Sequence, residues 1–106
     1  MIIEAIIALP HKIKIAGVDY TVGLKELIDL DGSTLGQVIY QKSDITIKQS
    51  MSDDKKAQTL IHEMLHAILY ESGYKEHSEE MVDRLSITLH QVLRDNDFSW
   101  LHGKRK

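Results

Sequence analysis

Residues 62–66 read His62-Glu63-Met64-Leu65-His66, an H-E-x-x-H pentapeptide set inside the run Thr59 to Tyr70. That run is apolar nearly all the way round, the pattern of a helix buried in a core rather than lying on a surface. Before Tyr70 its only titratable groups are the motif's own three. Residues four apart share one helix face, with Cβ atoms about 5–6 Å apart, so His62 and His66 can converge on one tetrahedral metal ion. Glu63, turned by one position, sits beside that ion, where it can take a proton from an activated water. Burying such side chains without partners costs roughly 2–7 kcal/mol each. A core helix therefore carries them only if something satisfies them, and a metal with its water would do so. The plainer alternative is a pair of core histidines hydrogen-bonded to backbone.

The rest of the composition narrows the ligand chemistry. With no cysteine in 106 residues, disulfides and thiolate metal sites are excluded, and His and carboxylate are the expected ligands. At this length, with 42% apolar residues, residues 1–106 are expected to form one domain around one core. The opening Met1 to Pro10 is apolar but lacks a basic start, contains Glu4 and is far shorter than a membrane span, so it reads as core-forming rather than as a signal. Cytoplasm is the expected compartment, with no membrane association. Net charge is −3, and the one basic cluster, Lys104-Arg105-Lys106, reads as a solvated end rather than a nucleic-acid contact.

Periodicity then places the elements. Lys12-Ile13-Lys14-Ile15 alternates, Gly17-Val18-Asp19 turns and Tyr20-Thr21-Val22 resumes, as in a β-hairpin. Residues 24–30 suit a short helical turn, and Asp31-Gly32-Ser33 a loop. Gln37 to Tyr40 and Asp44 to Lys48 predict two more strands, the second alternating so cleanly that one face should be wet. Ser50 to Asp54 supplies cap and first-turn residues for a helix over 53–71, stopped by Gly73. Ser78 caps a second helix over 78–95, with an apolar stripe of Val82, Leu85, Leu89, Val92 and Leu93, ended by Asn96. The short connection makes the two helices antiparallel neighbours. Phe98 to Leu101, with Trp100, is expected to pack back on the core. The fold class is α+β: a small, mostly antiparallel sheet packed on the H-E-x-x-H helix and a second antiparallel helix.

A catalytic zinc site commonly takes three protein ligands and leaves a position for water. The third donor is expected where the second helix begins. Glu79 lies three residues before Val82, on the stripe facing the first helix, whereas Glu80 is turned about 100° toward the flank. His77, in the loop just ahead, is a further candidate, as is Glu80 itself. Acidic residues in a first turn also need no metal to explain them, because they favour the helix dipole. Asp83, one turn on, can orient a ligand imidazole. Tyr70, Tyr74 and His90 are candidate oxyanion donors.

Leu35 to Tyr40, the strand Ile45-Thr46-Ile47, the segment Gln58 to Ile68 and the helix ending Gln91 to Asn96 together resemble small zincin-like proteins of phages and integrated elements, similar to the ImmA/IrrE metallopeptidases. The resemblance spans residues 12 to 101, with only the H-E-x-x-H segment specific. It implies a minimal zincin-like metallopeptidase domain in which His62 and His66 bind Zn2+, Glu63 is the general base and a second helix supplies a Glu. It implies a phage or prophage origin and a protein or peptide substrate, since larger relatives cleave a transcriptional repressor. Met81-Val82-Asp83 stands where those relatives carry Glu-Ala-Asn. SprT-like metalloproteins offer a competing match, pairing the motif with a later His before a small residue, as in His77-Ser78. The expected activity is zinc-dependent peptide hydrolysis. The alternative is a metal-binding, non-catalytic protein that acts on a host or phage partner.

Overall fold

The computed structural model describes residues 8–29 and 32–103; the expectations for the first seven residues, for Leu30 and Asp31 and for the basic end lie outside them. Strands β1 (Lys12–Ile15) and β2 (Val18–Lys25) form a hairpin closed by Ala16 and Gly17, both at positive φ (52° and 82°). This two-residue turn suits the right-handed twist of its strands. Strand β3 (Gly36–Ile39) and β4 (Asp44–Lys48) are antiparallel, joined by a 3-10 turn at Tyr40–Lys42 and by Ser43 in the left-handed region. Because β4 inserts parallel beside β2, the sheet order is β1-β2-β4-β3, and among the described residues β3 is an edge.

Helix α1 (Asp53–Glu71) covers one face of this sheet. Ser52 caps it, the hydroxyl accepting the Lys55 N–H at 3.2 Å, and Asp53 and Asp54 complement the positive end. Ile15, Tyr20, Ile45 and Ile47 from the sheet meet Leu60 and Ala67 from α1 in the core. Tyr20, fully buried, donates its hydroxyl to Glu71 at 2.6 Å, which ties β2 to the end of α1 and satisfies the buried phenol. Helix α2 (Glu79–Asp95) begins at Ser78, whose hydroxyl accepts the Met81 N–H at 2.9 Å, and ends at Asn96. His66 meets Glu79 while the earlier His62 also meets the later Asp83, so the helices run antiparallel.

Four expectations fail for identifiable reasons. Leu24 and Lys25 end β2 instead of starting a helical turn, because their backbone pairs with Ile47 and Lys48. Thr46 is 8% exposed rather than wet; it lies in the inner strand β4, between Gly23 of β2 and Gln37 of β3. Leu85 and Leu93 are exposed, since among the described residues α2 packs chiefly on α1 and buries Val82 and Ser86. Trp100 and Leu101 also face solvent, on a 3-10 turn after Phe98, instead of returning to the core.

Gly36 is where sheet and helix approach most closely. A Cβ there would lie 2.7 Å from Thr59 Cγ2 and 3.1 Å from both Cγ and Oε2 of Glu63. Gly36→Ala is expected to destabilise the protein by about 1–3 kcal/mol, the usual cost of overpacking, measured as a lower denaturation midpoint. A midpoint unchanged from wild type would show that β3 and α1 can separate freely.

Candidate metal centre

The four-residue spacing of His62 and His66 puts both rings on the α1 face turned toward α2, their centroids 4.9 Å apart. Glu79 opens α2 directly opposite. His62 Nε2 lies 3.0 Å from Glu79 Oε2, and His66 Nε2 lies 3.0 and 3.2 Å from Oε1 and Oε2. One ligand atom from each residue falls within 4.8 Å of the other two, and this His62/His66/Glu79 cluster could coordinate a metal ion. The donor set fits zinc: bonds of about 2.0–2.2 Å to imidazole nitrogen and carboxylate oxygen hold tetrahedral ligand atoms about 3.4 Å apart. Burial pushes the His66 pKa down from its ordinary value despite the Glu79 carboxylate beside it, which favours the neutral imidazole that ligates metals. Glu79 is largely exposed, so the cluster opens to solvent.

The other candidates occupy different places. His77 stands behind His66, its Nε2 2.8 Å from His66 Nδ1, and is not part of the converging set. Glu80 turns away and pairs with Arg84 at 3.1 Å on the exposed flank. Asp83 Oδ1 lies 3.2 Å from His62 Nδ1, on the side of the ring away from Glu79. Tyr70 stacks flat on Tyr40 at 4.1 Å, with the Lys75 ammonium 4.1 Å from its ring centre. Tyr74 is 64% exposed, and His90 lies three turns along α2 from Glu79.

Glu63 is only 7% exposed, and its pKa is pushed up to about 7. Burial is the main cause; the neighbouring His62 pulls the value down and the Glu79 charge pushes it up. Its carboxyl borders a groove of about 560 Å³ that runs between Leu35 and Gly36 on one side and Asp83 and Ile87 on the other. Sequence reasoning missed Gly36 and Tyr40. A glycine at the head of an alternating strand was the one available signal for the first; the stack of Tyr40 on Tyr70 joins residues thirty apart and left none.

A buried carboxyl whose folded-state pKa exceeds its unfolded value adds stability at low pH and loses it as pH rises through the folded value. For Glu63 that window runs from about pH 4.5 to about 7. In the metal-free protein, Glu63→Gln is therefore expected to raise the melting temperature at pH 8 and change it little at pH 5. Equal effects at the two pH values would mean that Glu63 is not ionised at a cost in the folded state.

These features define a small α+β domain with a His-His-Glu cluster consistent with a zincin-like metal-binding fold. Among the described residues no helix is long and apolar enough to cross a membrane. No protein-family model, no curated protein and no solved structure matches the chain.

Proposed function

We propose that this chain is a zinc-dependent peptide hydrolase of the zincin type, with His62, His66 and Glu79 as metal ligands and Glu63 as general base. The observation that carries this reading is the convergence of two imidazole Nε2 atoms on one carboxylate, beside a buried carboxyl that lines an open groove. Bound zinc supplies Lewis acidity, lowering the pKa of water and polarising a substrate carbonyl. Glu63 takes the proton from the attacking water and returns it to the leaving amine, a role suited to a carboxyl poised near neutrality. The edge strand β3 runs past Glu63 at Gly36, and an extended peptide added along that edge lies across the groove mouth. Glu79 rather than His77 in the converging set favours the likeness to the phage-associated ImmA/IrrE group over the SprT-like one.

A metal-binding protein that acts by docking rather than cleavage is the second reading. It is supported by Leu85, Ile87, Trp100 and Leu101, each at least half exposed. Elemental analysis decides the metal: about one zinc per chain is expected, lost in His66→Ala. With zinc retained, Glu63→Gln should lower peptide hydrolysis by about 10²–10⁴-fold, the usual contribution of a general base. Zinc without hydrolysis of any peptide, in wild type as in Glu63→Gln, would replace the first reading with the second; no zinc in either protein would end both.

A further inference from the structure

His77, the loop histidine outside the converging set, makes two contacts that run in one direction. Its Nδ1 lies 2.7 Å from the backbone oxygen of Tyr74, and its Nε2 lies 2.8 Å from Nδ1 of His66. A peptide carbonyl can only accept, so Nδ1 of His77 carries a hydrogen and donates it. In a neutral imidazole the other nitrogen then has only a lone pair, so Nε2 of His77 accepts and Nδ1 of His66 donates to it. His66 is thereby left with a bare Nε2 that faces Glu79 Oε1 at 3.0 Å, two acceptors that only a cation between them reconciles.

We infer that His77 is a positioning residue: a relay from the Tyr74 carbonyl through His77 holds His66 in the tautomer and ring orientation that present Nε2 to a metal. The relay extends the proposed site and rests on its metal-binding half, not on peptide hydrolysis. It differs from the arrangement at His62, where the group facing Nδ1 is the carboxylate of Asp83, itself more than half exposed. His77 is half-buried between the end of α1 and the start of α2, with His66 and Tyr74 as its hydrogen-bond partners. Its neighbour Ser78 is fixed as the cap of α2, so the loop cannot withdraw His77 without disturbing the helix that carries Glu79.

Losing the outer partner of a ligand histidine typically costs about 10–100-fold in metal affinity. Zinc affinity, measured by competition with a chromophoric chelator, is expected to fall by about that factor in His77→Ala. In His77→Gln it should largely recover, because the amide can donate to Tyr74 and accept from His66. Nitrogen-15 NMR of the metal-free Glu79→Ala protein, from which the competing carboxylate is gone, reads the same relay without zinc: His66 should carry its hydrogen on Nδ1 there and populate both tautomers when His77→Ala is added. A His66 protonated on Nε2 in Glu79→Ala would overturn the inference even if His77→Ala failed to fold. So would wild-type zinc affinity in His77→Ala, or a loss there as complete as in Glu79→Ala, which would make His77 a ligand. A protein that binds no zinc at all would overturn the proposed function and this positioning role together, whereas zinc binding that ignores His77→Ala overturns the positioning role alone.

Discussion

Helix α2 meets α1 where Glu79 and Asp83 face His62 and His66, beside the buried Val82. Helix α2 buries only Val82 and Ser86, so little apolar surface holds it against α1. At about 25 cal/mol per Å² of apolar burial, one valine and the margins of its neighbours give a weak interface for a helix of 17 residues. The polar contacts of Glu79 and Asp83 with His62 and His66 lie at that same interface. An ion drawn to these donors therefore binds the folded arrangement of two helices, and its binding free energy adds to the stability of that arrangement. The candidate ligand cluster lies in the helix–helix interface, so metal binding there would be coupled to the folding of α2 onto α1.

Glu63 pulls the other way. A carboxyl held at 7% exposure against the backbone of β3 costs stability whenever it ionises. The sequence accommodates it with Gly36, which removes the side chain that would otherwise occupy its space. Tension of this kind fits the general-base role proposed for Glu63. The core beneath is conventional, with Ile45 and Ile47 of β4 facing Leu60 and Ala67, and it carries the helix on which the strained group sits.

How much of this was legible in the sequence follows from the range of each interaction. The histidines, Glu63 and the caps at Ser52 and Ser78 obey local rules of spacing and hydrogen bonding, and α1 and α2 lie where those rules put them. Glu79 was readable as a face of a helix, one step less local. The failures are all non-local. Thr46 alternates like a surface strand, and nothing in its neighbourhood says that β4 will be inserted between β2 and β3. Leu85 and Leu93 fall on an apolar stripe, but whether a stripe is covered depends on how wide a partner it meets. Ligand chemistry alone makes His77 as good a candidate as Glu79; the path of the loop, invisible in the sequence, sets it 2.8 Å from His66 Nδ1 and outside the His62/His66/Glu79 cluster.

The few residues of that loop serve both helices. Gly73, at φ 101°, lets the chain reverse at the end of α1, with its N–H bonded to the Tyr70 carbonyl and that of Tyr74 to Leu69. Those bonds fix the peptide of Tyr74, whose carbonyl then receives His77 at 2.7 Å. One residue later Ser78 caps α2, and one further on Glu79 faces the imidazoles. A shorter connection would leave no room for the histidine between the reversal and the cap; a longer one would free the Tyr74 carbonyl from the geometry that orients it. Helix stop, His77, helix start and Glu79 therefore follow in strict order along the chain. An insertion between Tyr74 and Ser78 would separate them while leaving the H-E-x-x-H pentapeptide intact, which is why that pentapeptide alone does not specify the site.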